Sequence, residues 1–90
     1  MTAAAPYSIR VMVTSVWDQV ALPVESGTRV EEVKRRALAD ATGRHDLALP
    51  DFVVKFRGAQ VLDESQTLGA LGAGADAPFI ILPARRQPVR

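Results

Sequence analysis

The stretch SGTRVEEVKRRAL, residues 26–38, decides how the rest of the chain is read. It is amphipathic with a helical period. Val30, Val33, Ala37, Leu38 and Ala41 fall along one helical face. Thr28 stands as the N-cap, with Glu31 three residues on as its capping-box partner. Glu31 and Glu32 suit the positive end of the helix dipole, and Lys34, Arg35 and Arg36 follow toward the other end. Gly43 is a C-terminal stop. Everything on either side of this segment reads as short strands and turns, so the helix is what the strands must cover.

Toward the N-terminus, Ile9, Val11 and Val13 alternate with Arg10, Met12 and Thr14, a period of two that predicts a strand buried on one face. SVWDQ, residues 15–19, reads as a hairpin loop. Val20, Leu22 and Val24 resume the alternation. Pro23 has no N–H for a ladder, which puts it at an edge or a bulge. Glu25, Ser26 and Gly27 turn the chain into the helix.

Beyond Gly43, residues 44–51 form an irregular connection. FVVKF, residues 52–56, is a third strand, with Val54 and Phe56 on one face and Phe52 joining them. Residues 57–60 make a tight turn, and Val61 and Leu62 a short strand. Residues 63–74 are rich in Gly and Ala, with Leu68 and Leu71 as core plugs on a short helical turn. Residues 79–82 form the last strand. The boundaries read as a loose leader over residues 1–8, one domain over 9–83 and a polar tail over 84–90. Two hairpins flanking one helix leave the first and last strands free to pair in parallel. The expected class is α+β, order ββαββ, a mixed four- to five-stranded sheet on one helix with a short helical turn before the last strand.

Composition narrows the function. At 90 residues and 48% hydrophobic content, there is one modest core. No cysteine is present, so neither a disulfide frame nor a thiolate metal site is available. A net charge of +1 gives no pull toward nucleic acid or an anionic membrane. No apolar run reaches the length of a membrane span, and MTAAAPYS lacks the blocks of a signal peptide. The expected location is the cytoplasm. The Ala-, Arg- and Val-rich usage with few lysines suggests a bacterial coding sequence of high GC content.

Two segments together carry a family resemblance. VESGTRVEEVKRRA, residues 24–37, resembles the strand end, helix start and helix-borne valine–lysine pair of the ubiquitin-like β-grasp superfamily. FRGAQVLDESQTLGALGAGADAPFIIL, residues 56–82, is similar to that family's F-x-G-x-x-L-x-D, T-L and final-strand order. The resemblance covers residues 9–82. It implies the ubiquitin-like β-grasp fold. It also implies that Lys34 meets Asp63 beneath the helix as a partly buried ion pair, the alternative being two solvated charges.

Conjugated and sulfur-carrier members of the family end in a Gly-Gly carboxylate, because only glycine is thin enough to thread the activating enzyme's cleft. Here the tail reads Ala84, Arg85, Arg86, Gln87, Pro88, Val89, Arg90, with no glycine after Gly74. The expectation is therefore a ubiquitin-like protein without the usual conjugation chemistry. Chain building on lysine is disfavoured too, since Lys34 and Lys55 are the only lysines.

No enzyme is expected, and no cofactor, metal ligand or catalytic residue is assigned. His45 is a lone loop histidine beside Asp46. Asp63 and Glu64 are paired carboxylates in a turn, where local hydrogen bonding accounts for them. Ser65 has no histidine partner, and Gly69, Gly72 and Gly74 lack the lysine and context of a phosphate loop.

A binding surface is what remains. With Phe79 and Ile81 turned to the core, Ile80 and Leu82 face the other way, and Val53 and Lys55 do the same on the third strand. The resemblance implies that this outer sheet face serves as an apolar docking patch with an apolar hairpin residue at its rim. Val16 and Trp17 occupy that hairpin. Trp17 either anchors a partner or folds over its own hairpin. Lys55 interrupts the patch at its centre, where its aliphatic stem can still add contact area. Two lesser surfaces are the arginines Arg35, Arg36, Arg85, Arg86 and Arg90, and the edge at residues 20–24, which Pro23 protects. The expected function is a non-covalent protein-interaction module docking a protein partner through Val16, Trp17, Val53, Lys55, Ile80 and Leu82. The alternatives are a ubiquitin-like modifier with atypical or lost conjugation, and a small accessory subunit of a bacterial secretion or enzyme complex.

Overall fold

Strand alternation and one helical stripe produce a five-stranded sheet folded against one long helix. The structure, a computed structural model, describes residues 6–84. In chain order it comprises β1 (Tyr7–Val13), β2 (Asp18–Val24), α1 (Val30–Thr42), a 3₁₀ turn (Leu49–Asp51), β3 (Phe52–Phe56), β4 (Ala59–Gln60), α2 (Leu68–Leu71) and β5 (Pro78–Pro83). The sheet order is β2-β1-β5-β3-β4. β1 pairs antiparallel with β2 and parallel with β5, and β3 pairs antiparallel with both β4 and β5. The α+β class, the element order and the parallel contact between first and last strands are as the sequence implies.

One face of this sheet closes on the helix. Ile9, Val11 and Val13 from β1, Leu22 and Val24 from β2, Val54 and Phe56 from β3, and Phe79 and Ile81 from β5 are buried against Val30, Val33, Ala37 and Leu38. Each Val, Leu, Ile or Phe among them contributes about 1.5–3 kcal/mol of transfer free energy, and Ala37 less. Leu68 is fully buried, as expected of a core plug, while Leu71 packs on the core only partly buried. Phe52 also joins the core from its margin.

The start of α1 departs from expectation. The N-cap residue is Arg29, with no side-chain cap. Thr28 Oγ1 instead accepts the N–H of Glu25 at 3.0 Å, closing the preceding turn. The free N–H groups of Val30 and Glu31 donate to the carbonyls of Gln66 and Glu64, each at 2.9 Å. A distant loop lies across the helix end, so its backbone does what a capping side chain would do. The C-terminus is as read: Gly43 takes φ 74° and its N–H returns to Ala39 O.

Three boundaries move. β1 begins at Tyr7, so residues 7 and 8 belong to the sheet and not to a leader, and the Tyr7 hydroxyl donates to Ala73 O at 2.9 Å. β2 begins at Asp18, which shortens the hairpin loop. The strand expected at Val61 and Leu62 lies instead at Ala59–Gln60. Arg57 and Gly58 both adopt positive φ, 56° and 81°, so the turn uses only two residues and pairing resumes at once. Val61 then adds one further bond, to Val54 O, and Leu62 stands 84% exposed.

The implied partner of Lys34 is also corrected. Lys34 Nζ lies 2.7 Å from Glu64 Oε1 and donates to Leu49 O at 2.9 Å, with only 3% of the residue exposed. Asp63 is occupied elsewhere: its Oδ1 accepts from the N–H and hydroxyl of Ser65. The longer carboxylate next door reaches the ammonium instead.

Candidate protein-docking face

β5 lies inside the sheet, so every second residue on it must face away from the helix. With Phe79 and Ile81 buried, Ile80 is 42% exposed and Leu82 half-buried on the outer side. The register then gathers their neighbours. Leu82 stands opposite Val53 and Ile80 opposite Lys55, while on the other flank Ile80 pairs with Met12. Val53, Lys55, Ile80 and Leu82 therefore form one contiguous patch, as the alternation predicts. A shallow groove across it is lined by Thr14, Val53, Lys55, Gln60 and Leu82. Met12, Thr14 and Gln60 belong to this face although the reading of the sequence did not single them out. The alternation of β1 against buried Val11 and Val13 carried the signal for the first two.

The hairpin between β1 and β2 sits at one end of that face. Thr14 N–H donates to Ile81 O at 3.0 Å, which ties the turn to the far end of β5. The turn is closed by Val16 N–H to Val13 O and Trp17 N–H to Thr14 O. Val16 is 45% exposed and Trp17 79% exposed. Trp17 thus does not fold over its own hairpin. It also holds φ 51°, a left-handed conformation costing a residue with a Cβ roughly 1–2 kcal/mol. Val16 and Trp17 stand exposed on the hairpin at this end of the patch.

Charge is sparse here. Lys55 forms no ion pair among the described residues. Lys34 is buried, whereas Lys55 is partly exposed on this surface. The titrations that shift lie elsewhere. The Ser65 hydroxyl, and then its N–H, hold the Asp63 carboxyl below its ordinary value. Arg44 does the same for Asp46 by a side-chain hydrogen bond, and Asp46 in turn raises the Arg44 guanidinium. Among the described residues no three His, Cys, Asp or Glu side chains gather as a metal site would require. No helix among them is long and apolar enough to cross a membrane. A second apolar exposure is Leu62, which with Val61 and Leu71 borders a groove beside Phe56 and Arg57. Reading Leu62 as half of a strand hid it. The arginines Arg85, Arg86 and Arg90 lie outside the described residues.

No family model matches the sequence, and no curated protein matches it. Solved structures do match. The ubiquitin-like domain of an Arabidopsis thaliana protein superposes with a TM-score of 0.75 at 12% identity, over 100% of this chain and 89% of that one. A ubiquitin from Caldiarchaeum subterraneum superposes with a TM-score of 0.74 at 15% identity, over 93% of this chain and 100% of that one. Sequences this far apart share a backbone plan and little else, and the plan they share with this chain is the ubiquitin-like β-grasp fold.

Proposed function

We propose that the protein is a non-covalent protein-interaction module that docks a partner through the outer face of its sheet. The single observation that carries this reading is Trp17, a large indole held 79% exposed in a left-handed conformation at the end of the Ile80–Leu82–Val53 patch. Folding alone gains nothing from that arrangement. A tryptophan there supplies rigid apolar area of the kind that dominates interface energetics. Val16 extends the rim, and Lys55 gives the patch a cationic centre on an aliphatic stem. The reading is of a cytoplasmic protein that holds its partner by contact and without a covalent bond.

The test is a pull-down with tagged protein from its native host, under native and denaturing conditions, beside the Trp17→Ala/Ile80→Ala/Leu82→Ala variant. A partner retained only natively, and lost in a variant that still folds, supports the docking face. A heavier species that survives denaturation in both proteins replaces this reading with covalent conjugation. Co-purification at fixed stoichiometry that the variant leaves intact indicates a subunit held by another surface.

A further inference from the structure

The open edge of β2 carries an inference independent of the docking face. In β1, Arg10 N–H and Thr14 N–H point to β5, donating to Ala77 O and Ile81 O. The odd-numbered residues of β1 therefore face β2, and the register pairs them with Val20 and Leu22. Gln19, Ala21 and Pro23 turn their backbone groups outward, away from the sheet. At Pro23 the edge is closed: proline has no N–H, and its carbonyl accepts from Arg36 Nη2 at 2.9 Å. At Gln19 and Ala21 the N–H and C=O groups have no partner among the described residues. What complements such a window is another extended backbone.

Charge selects which backbone. Asp18 shares the helix side of β2 with Val20, Leu22 and Val24, and it has no cationic partner among the described residues. Arg36 reaches over the same side at the opposite end of the window and has no carboxylate partner among them. A window negative at one end and positive at the other is complementary to itself reversed. An antiparallel copy with its two-fold axis at Val20 sets Gln19 against Ala21 in both directions. It brings the second copy's Asp18 opposite Leu22, beside Arg36, and the second copy's Trp17 opposite Pro23. From this we infer that two copies of the chain associate edge to edge through β2, each Asp18 facing the other copy's Arg36. The axis of an antiparallel strand pair stands perpendicular to the sheet, so both outer faces point the same way. Such a dimer presents two docking faces side by side to one partner.

The experiment is sedimentation equilibrium of the full chain from micromolar to millimolar concentration, with hydrogen exchange of the Gln19 and Ala21 amides. The expected result is a dimer whose formation slows exchange at those two amides. Asp18→Arg alone and Arg36→Glu alone each weaken association about tenfold by placing like charges together. Mixing the two single variants restores it, because the heterodimer has opposite charges at both junctions. That restoration is something a variant that merely folds poorly cannot produce. A chain that stays monomeric with both amides in fast exchange overturns the inference. So does a dimer that neither single variant weakens, since another face then makes it. A monomer whose Gln19 and Ala21 amides are protected only on adding an unrelated extended peptide also overturns it, and assigns the edge to a foreign strand.

Discussion

Lys34 and Glu64 form an ion pair of unequal burial: the lysine side chain is 4% exposed and the carboxylate 24%. The two ends therefore differ in what their removal costs. Glu64→Gln leaves an ammonium that water cannot reach with neutral acceptors and no countercharge, and should cost roughly 1–3 kcal/mol. Lys34→Met leaves a carboxylate that solvent can take over, and should cost about 1 kcal/mol or less. Asp63→Asn, at the position the family resemblance favoured, should cost less than Glu64→Gln. Urea denaturation of the three variants checks the order.

Trp17 separates stability from binding. Glycine accepts its left-handed φ of 51° without strain, while the flexible unfolded chain costs about 0.5–1 kcal/mol. Trp17→Gly should therefore be at least as stable as the parent, yet lose the partner. A lowered melting temperature would mean that the indole packs on the fold in solution.

Gly69 opens α2 directly under the turn that precedes α1. A Cβ there would lie 3.2 Å from Ser26 O and 3.3 Å from Ser26 Cβ. Ser26 O accepts the Gly69 N–H at 2.9 Å, so it cannot retreat without losing that bond. Gly69→Ala should destabilise by about 1 kcal/mol, against the helix propensity that favours alanine by a similar amount. Gly27→Ala, with nothing within 4 Å of its added Cβ, is the neutral control. Thermal melts of the pair decide it.

Acid should act on the loop that caps α1. The folded Asp63 carboxyl titrates below its unfolded value, first through the Ser65 hydroxyl and then its N–H. Its contribution is thus present above the ordinary carboxylate pKa and is lost as pH falls through the folded one. The group is exposed, so the effect is small. Ser65→Ala should flatten the acid limb of the stability curve, and amide exchange at Val30 and Glu31 should stay slower to lower pH in the parent.

The strands and the helix were legible because burial enforces a period: Val11 and Val13, or Phe79 and Ile81, have only one side on which to be apolar. The outer patch followed by subtraction. What resisted reading was whatever depends on segments far apart in the chain. Thr28 has the sequence of a cap, but Gln66 and Glu64 bring carbonyls from thirty-odd residues away. Asp63 and Glu64 differ by one position, and the hydrogen bonds of Ser65 settled which was free. Leu62 was misplaced because Arg57 accepts a left-handed φ that its residue type does not advertise. The exposure of Trp17 was likewise a choice between two rotations of a turn, which no alternation encodes.

The parallel contact of β1 with β5 has a mechanical consequence. The two strands run side by side, Arg10 to Val13 against Pro78 to Ile81, so the described ends of the chain leave from opposite ends of the sheet. Tension applied through residues 6 and 84 would slide these strands past each other. Their hydrogen bonds would bear the load together, as shear, and not one at a time as when a hairpin is peeled open. A domain of this plan set in series within a longer assembly would transmit force through its middle while its outer face stayed in place.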